Sequence, residues 1–210
     1  MISIIDYDAG NIKSVEKALN FLGEEAIITS DRDTILASDG VILPGVGAFG
    51  DAMEKLNKRK LPQVIYDYVD SGRPFLGICL GLQLFFKESE ESPGAAGLGL
   101  LDGTITKIPV LSESGESFKV PQIGWNDIKI NPDSRLLKGL PDNPYVYFVH
   151  SFYLHAADRN DVAATTQYNV SIDAAVEKGN IMATQFHPEK SSDAGLKILT
   201  NFIEMSKIKG

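Results

Sequence analysis

The sequence predicts an α/β fold: an open, largely parallel, doubly wound sheet with helices on both faces and a partly antiparallel second half. Three observations carry this prediction. Short apolar runs alternate with helical patterns through the first half of the chain, as in repeated βαβ units. Several strand-like runs then follow one another without long helices between them. A last apolar run is followed by an amphipathic helix at the C-terminal end.

Apolar runs bounded by glycine, proline or charged residues predict the strands of the first half. They cover residues 2–7, 26–29 and 41–43, the last ended by Pro44, and a run after Pro74 that ends at Ile78. Apolar residues at helical spacing predict helices over 12–22, 34–37, 51–56, 62–69 and 80–86. Ligands of such sheets bind at the carboxyl ends of the strands, so we expect the functional site there.

The second half is predicted to be a meander of strands at 104–108, 128–130, 145–154, 162–168 and 174–176. The final unit is a strand at 181–186, a turn, and a helix capped by Ser191 or Ser192. No linker or composition shift marks a boundary, so we expect one domain over residues 1–210.

Composition excludes several classes of protein. The net charge of −8 argues against nucleic-acid binding, which rests on clustered Lys and Arg. The single cysteine excludes an internal disulfide and fits a reducing compartment. The first residues lack the basic and apolar regions of a signal peptide, and no apolar run approaches a membrane span. We therefore expect a cytoplasmic protein.

The only cysteine lies at a predicted strand-to-helix turn, in the run Gly77-Ile-Cys79-Leu-Gly81. This run has the layout of a nucleophile elbow, with sulfur in place of oxygen. A sharp turn of this kind needs small neighbours, which the two glycines supply. The N-terminus of the following helix would favour the thiolate, and the N–H of Leu80 could stabilise an oxyanion. The alternative is a cysteine that is merely packed in the core.

A candidate base lies just past the last predicted strand, where His187 is followed by Pro188 and Glu189. A carboxylate held there can accept a hydrogen bond from one ring nitrogen and leave the other to take a thiol proton. The alternative is a surface pair. The other histidines are weaker candidates, because His150 alternates in phase with core residues and His155 has no carboxylate nearby.

The segment Pro44-Gly-Val-Gly-Ala-Phe-Gly50 matches the glycine spacing of a dinucleotide-binding loop. A dinucleotide-binding loop follows the first strand and is paired with an acidic residue at a strand end about twenty positions later. We reject that interpretation because this segment follows the third strand and the candidate acidic residue, Asp67, lies within a helix pattern. Its glycines are better explained as allowing backbone N–H groups to approach a reacting carbonyl. One cysteine and three scattered histidines show no zinc-ligand spacing.

Taken in order, these motifs resemble those of the class I glutamine amidotransferases, whose fold is flavodoxin-like. The resemblance is closer still to the glutaminase subunits that serve histidine biosynthesis. It spans essentially the whole chain and depends on Asp6-Tyr-Asp-Ala-Gly-Asn11, Ser14-Val15, Pro44 to Phe49, Gly77 to Gly81, Val120-Pro121, Gly124-Trp-Asn126, Phe148 to Phe152 and Phe186 to Glu189. Gln122-Ile123 departs from the pattern, since many relatives are expected to carry His-Met there.

The resemblance implies that Cys79 attacks the side-chain amide of glutamine, with His187 as base and Glu189 orienting it. It further implies an oxyanion hole and a substrate site, and no metal or organic cofactor. The implied oxyanion residues are Leu80, Val46 and Gly47, and the implied substrate-binding residues are Gly45, Gln83, Glu91, Ser151 and Phe152.

The resemblance also implies a heterodimer, in which ammonia passes to a (β/α)₈-barrel cyclase subunit. The candidate interface residues are Asn11, Ser14, Trp125, Asn126 and Lys190. For Trp125 the alternative is a core aromatic, and for Lys190 a solvated turn lysine. Two other functions stay open on residues alone: a γ-glutamyl peptidase or cysteine amidase without a partner, and a flavodoxin-like binding module.

Overall fold

The structure is a computed structural model that describes residues 1–8, 10–112 and 114–208. The α-helices are α1 (Ile12–Phe21), α2 (Arg32–Ala37), α3 (Phe49–Lys58), α4 (Leu61–Asp70), α5 (Leu80–Gln83) and α6 (Ser192–Lys207). The strands are β1 (Ile2–Ile5), β2 (Ala26–Thr29), β3 (Gly40–Gly45), β4 (Phe75–Cys79), β5 (Gly103–Lys107), β6 (Gln122–Asp127), β7 (Lys129–Ile130), β8 (Tyr145–His150), β9 (Phe152–Ala156), β10 (Val162–Tyr168), β11 (Val170–Lys178) and β12 (Ile181–Thr184).

The main sheet has eight strands in the order β2-β1-β3-β4-β12-β11-β10-β7. Pairing is parallel from β2 through β12 and antiparallel from β12 through β7. The last predicted strand thus returns beside the strand that ends at Cys79. The predicted parallel sheet with a partly antiparallel second half is confirmed.

Alternate residues along the central strands enter two separate core layers. In β3, Val41 and Leu43 pack in the layer formed with α2, α3 and α4, whereas Ile42 packs in the layer formed with α1 and α6. Strand residues point to opposite faces, so a strand covered on both sides must be apolar throughout. This explains why the strand signal here is a continuous apolar run rather than an alternation.

Pro44 does not end β3, as the sequence suggested, because the strand runs on to Gly45. Pairing with β1 stops at Ile42, so the missing N–H of Pro44 removes no bond on that side. The Pro44 carbonyl instead accepts a hydrogen bond from the Tyr7 hydroxyl (2.9 Å).

The apolar segment after Cys79 forms a much shorter helix than predicted. Helix α5 ends at Gln83, and the chain continues in turns with Phe86 N–H bonded to the Gln83 carbonyl. The carbonyls of Leu84 and Phe85 accept hydrogen bonds from the 98–101 segment, so they cannot continue a helix. Their side chains are nevertheless fully buried.

The predicted strand over 145–154 is two strands with different partners. Strand β8 pairs with β6 and β9 pairs with β5, with Ser151 between them. Strand β6 was not predicted, because its exposed Ile123 and Trp125 and its central Gly124 (φ 136°) do not give a core-facing alternation.

Candidate active site

The carboxyl ends of β3, β4 and β12 lie side by side and bring three sequence-distant segments together. Gly45 pairs with Cys79, and Ile78 pairs with Thr184 three residues before His187. Three segments therefore meet at one edge of the sheet, as expected for a doubly wound fold. They are the glycine segment (residues 44–48), the cysteine turn (residues 77–81) and the His-x-Glu segment (residues 187–189).

Cys79 occupies a strained turn between β4 and α5. Its backbone angles are φ 55° and ψ −108°, in the positive-φ region that non-glycine residues rarely occupy. A Cβ on Gly81 would lie 1.9 Å from the Leu43 carbonyl oxygen, and one on Gly77 would lie 2.8 Å from the Gly81 oxygen. The turn therefore needs glycine at both flanking positions, as the sequence analysis expected.

His187 and Glu189 form a buried pair. The His187 Nδ1 lies 2.7 Å from Glu189 Oε1, and both side chains are almost entirely inaccessible to solvent. Asn11, at the start of α1, donates to the same carboxylate oxygen from its side-chain amide. The second oxygen of Glu189 is buried and has no hydrogen-bond partner among the residues that the structure describes.

The second ring nitrogen of His187, Nε2, is buried and makes no well-aligned hydrogen bond within the described part of the chain. Burial lowers the pKa of His187, but interactions with the Cys79 sulfur and the Glu189 carboxylate outweigh burial and raise the pKa to about 9. At neutral pH the ring therefore favours its protonated form, which is the form that pairs with a thiolate.

The Cys79 sulfur has two other polar neighbours. Its Sγ lies 3.9 Å from the Val149 carbonyl oxygen, which can accept a hydrogen bond from the thiol. The side-chain amide of Gln185 donates toward Sγ, also at 3.9 Å. Sequence reasoning missed Gln185, because one glutamine at the end of an apolar strand gives no signal of its own.

The predicted oxyanion residues line the pocket beside Cys79. Leu80, Val46 and Gly47 all contribute to its wall, and Gly47 has a φ of 100° that favours glycine. The hydrogen bond from Tyr7 to Pro44 anchors the chain just before this segment. Burial, together with the nearby Cys79, raises the pKa of Tyr7 well above its usual range, so this donor keeps its proton.

The pocket has a volume of about 250 Å³ and is lined by four of the five residues predicted to bind substrate: Gln83, Glu91, Ser151 and Phe152. The fifth, Gly45, does not line it. A Cβ there would meet the Tyr7 hydroxyl at 2.5 Å and Leu80 Cβ at 3.0 Å, so Gly45 permits close packing of β3 on the turn.

Two side chains that are adjacent in sequence, one of them in the pocket wall, hold the start of α3. The Phe49 N–H donates to Glu91 Oε2 (2.8 Å), and the Gly50 N–H donates to Ser92 Oγ (3.0 Å). The N-cap residue of α3, Ala48, has no side chain that could do this. The pocket residue Glu91 is thereby connected to the segment that carries Val46 and Gly47.

His150 is buried in the pocket wall, and His155 is exposed and packs against Tyr153. The His150 Nδ1 lies 2.8 Å from the Phe152 carbonyl oxygen, and Nε2 lies 3.0 Å from the side-chain amide of Gln122. Burial lowers the pKa of His150 to about 4. This agrees with the structural role that its phase predicted.

The predicted interface residues differ in exposure and in what they contact. Trp125 is 51% exposed, which excludes the core alternative. Its ring meets Tyr147 edge-on, and the Lys190 ammonium lies 5.8 Å from the centre of the same Tyr147 ring. Asn11 and Ser14 are half-buried on the first turn of α1. Asn126 is less available, because its side chain donates to Thr166 Oγ1 and the Gln167 carbonyl.

Within the described ranges, no cluster of three or more His, Cys, Asp or Glu side chains is arranged to hold a metal ion. In that same part of the chain, none of the helices has the length and apolar character that a membrane crossing would require.

Comparison with known proteins gives a consistent result. Residues 3–205 match the family model for glutamine amidotransferase class-I. The HisH subunit of imidazole glycerol phosphate synthase from Bacillus cereus (strain G9842) is 50% identical over 202 residues, covering 96% of this chain and 93% of the relative. The corresponding subunit from Methanothermobacter thermautotrophicus is 50% identical over 206 residues, covering 98% of each chain.

Solved structures agree at the level of the fold. A glutamine amidotransferase crystal structure superposes with a TM-score of 0.76 at 19% identity, covering 99% of each chain. A chain of PurLQS from Thermotoga maritima gives a TM-score of 0.75 at 20% identity, covering 97% of each chain. On the evidence of the family model and of the two relatives that are 50% identical, the chain belongs to the class I glutamine amidotransferases, and within them to the family of the HisH subunits of imidazole glycerol phosphate synthase.

Proposed function

We propose that this glutamine-hydrolysing enzyme works through Cys79, His187 and Glu189 and delivers ammonia to the cyclase subunit of imidazole glycerol phosphate synthase. The observation that carries the proposal is the meeting of Cys79 with the buried His187–Glu189 pair at adjacent strand ends. A cysteine that was merely packed would need no such partners, nor a strained backbone.

In the first half-reaction the Cys79 thiolate attacks the side-chain amide carbon of glutamine. The N–H groups of Leu80 and of the Val46–Gly47 segment stabilise the oxyanion that forms. Protonated His187 then gives its proton to the leaving nitrogen, which departs as ammonia and leaves a γ-glutamyl thioester. Glu189 holds the ring so that Nε2 faces the sulfur, since its hydrogen bond occupies Nδ1.

In the second half-reaction His187 takes a proton from water, which attacks the thioester. The same N–H groups stabilise the second oxyanion, and its collapse releases glutamate and the thiolate. The pocket beside Cys79 is lined by Gln83, Glu91, Ser151 and Phe152, which would hold the polar end of glutamine. The Ser151 carbonyl already accepts from Ile108 N–H and that of Phe152 from Gln83, so new bonds there must use remaining lone pairs or N–H groups.

We further propose that a (β/α)₈-barrel cyclase subunit binds the face that carries Asn11, Ser14, Trp125, Asn126 and Lys190. Exposed Trp125 and Lys190 lie beside Tyr147, whose carbonyl accepts the His187 backbone N–H, so this face adjoins the proposed triad. A partner that takes up ammonia must dock close to where ammonia is released.

A Cys79→Ala substitution tests the assignment of the nucleophile. It should abolish glutamine-dependent synthesis by the complex, because no thioester can form, and leave synthesis from free ammonium salts intact. The ammonium reaction is the control for folding and for assembly with the cyclase. Residual turnover with glutamine would show that Cys79 is not the nucleophile.

A further inference from the structure

Gln185 is a fully buried polar residue that the mechanism above does not use. It lies one residue past β12 and two residues before His187, and its backbone N–H donates to the Ala174 carbonyl. Its side-chain amide contacts two groups of the site, the side chain of Gln83 (3.1 Å) and the sulfur of Cys79 (3.9 Å). A buried side-chain amide destabilises the fold unless its hydrogen bonds are satisfied. The two contacts of this amide therefore indicate what it does in the site.

The direction of each bond in this chain of amides is fixed from one end. The Phe152 carbonyl can only accept, so the group that Gln83 turns toward it (3.0 Å) must be its NH₂. The same NH₂ then faces the Gln185 side chain, which must therefore present its oxygen. With its oxygen occupied, Gln185 has only its own NH₂ left to direct at the sulfur.

We infer that Gln185 is a further catalytic residue, which donates a hydrogen bond to the Cys79 sulfur and stabilises it as the attacking thiolate. A donor to a charged acceptor favours the charged form. The sulfur thus lies between two polar groups of opposite effect. The Val149 carbonyl accepts a hydrogen bond only from the neutral thiol, whereas the Gln185 amide donates a hydrogen bond that stabilises the thiolate. The inference rests on the proposed role of Cys79 as nucleophile.

The same bonding pattern fixes how Gln83 meets the substrate. Its NH₂ is shared between the Phe152 carbonyl and Gln185, so only its carbonyl oxygen can face the pocket. That oxygen can bind an ammonium or amide N–H group of glutamine. Gln185 therefore supports both the sulfur and the orientation of Gln83.

The test measures how fast iodoacetamide alkylates Cys79 as a function of pH. Because Cys79 is the only cysteine, the rate reports this thiol alone. The variant Gln185→Met keeps the length and volume of the side chain but loses the donor. We expect its alkylation profile to move to higher pH by about one unit, with roughly tenfold slower alkylation at pH 7. The kcat for glutamine should fall more than KM changes.

The titratable side chains that face the sulfur or line the same pocket are those of His187, His150, Tyr7 and Glu91. All four are retained in the variant, so a change in the profile reports the loss of the Gln185 donor. The variant Gln185→Glu has the same shape and serves if Gln185→Met does not fold. It should shift the profile in the same direction and further, because a carboxylate repels the thiolate.

Asn201→Leu is the matched control, since Asn201 also has a buried amide, which donates to the Leu136 and Lys138 carbonyls (both 2.8 Å). It should lose stability without a change in the alkylation profile. An unshifted profile in both Gln185 variants would overturn the inference, whereas glutamine turnover by Cys79→Ala would overturn the proposed function instead.

Discussion

At the scale of single residues, the backbone of Cys79 is the most constrained feature of the site. Its φ of 55° and ψ of −108° are unfavourable for any residue with a Cβ. Neighbours on both sides enforce them, since Gly81 packs against the Leu43 carbonyl and Gly77 against Gly81. Strain of this kind costs about 1–3 kcal/mol in folding free energy. The backbone conformation that causes it places Cys79 in the wall of the pocket.

We expect Cys79→Gly to be more stable than Cys79→Ala. Both variants lose the sulfur, but only glycine tolerates this backbone conformation. After subtracting the greater flexibility of glycine in the unfolded chain, the free energy of unfolding should be higher by about 1 kcal/mol. Denaturant titration of the two variants measures this difference, and equal stability would mean that the turn is not strained.

His150 should make the protein sensitive to mild acid. Its pKa is about 4 in the folded state and about 6.5 in the unfolded chain, so between these values the unfolded chain binds the extra proton. Stability should therefore decrease as pH falls, by about 2 kcal/mol between pH 6.5 and 5. His187 adds no slope there, because a raised pKa of about 9 removes stability only as pH rises above 6.5.

The measurement is the free energy of unfolding at several pH values for wild type and His150→Gln. The variant should have a flatter profile, while His155→Gln, at an exposed histidine, should keep the wild-type slope. The same slope in His150→Gln would assign the acid sensitivity to other groups.

The site residues that sequence patterns identified without the family resemblance are those with a local signature. Cys79 stands between two glycines at a strand-to-helix change, and Glu189 follows His187 at a spacing that permits their bond. Contacts between distant residues leave no such trace. Asn11 reaches Glu189 across 178 positions and Gln185 reaches Cys79 across 106, so only the folded sheet reveals them.

At the scale of elements, α3 is capped by residues that lie far away in sequence. Its first N–H groups bind Glu91 and Ser92, 42 positions later, directly after the glycine segment that carries Gly47. Capping therefore fixes where this segment leaves β3 as well as where the helix begins.

Ser92→Ala should lower both stability and activity. Losing a cap typically costs about 1 kcal/mol, and the freed start of α3 should let the oxyanion segment move, with a severalfold drop in kcat. Asp31→Ala is the control, because Asp31 caps α2 (2.9 Å to Thr34 N) far from the pocket, so it should lose similar stability at unchanged kcat. Equal kcat values in the two variants would show that the cap provided by Ser92 has no influence on catalysis.

Element boundaries were predictable where the chain itself ends an element. Strands β2 and β10 begin and end at the predicted residues, because turn residues bound them. The run over 145–154 is apolar or aromatic apart from His150 and Ser151, and two polar residues within a strand pattern do not by themselves mark a change of strand partner. Helix α5 also ends for a reason that is not local in sequence. The N–H groups of the 98–101 segment donate to the carbonyls of Leu84 and Phe85, which a longer helix would need.

At the scale of the whole molecule, the two halves of the chain contribute differently to the site. The parallel strands β3, β4 and β12 position Cys79, the glycine segment and His187. The separate pairs β6–β8 and β5–β9 carry Val149 and Phe152, with Ser151 between β8 and β9, and these residues line the pocket as well. Alternating strands and helices predicted the first arrangement, whereas the second depends on long-range pairing that no periodicity encodes.

The exposed aromatic side chain on β6 should matter to the complex with the cyclase. Trp125→Ala should weaken binding of the proposed cyclase partner by tenfold or more, since large aromatic residues commonly dominate interfaces. Phe21→Ala, at an even more exposed aromatic at the other end of α1 from Asn11, should leave binding unchanged. Titration of the cyclase against each variant gives the Kd, and unaltered binding by Trp125→Ala would place the interface elsewhere.

The hydrogen bond from Asn11 to Glu189 connects a partly exposed side chain directly to a buried carboxylate. Asn11 begins α1 in a left-handed conformation, does not cap its own helix, and is half-buried. One side chain thus separates the protein surface from a buried carboxylate of the site. Rotation of an accessible side chain takes about picoseconds to nanoseconds, while domain closure takes microseconds to milliseconds. A molecule that binds the Asn11 amide therefore reaches Glu189 without any movement of the sheet.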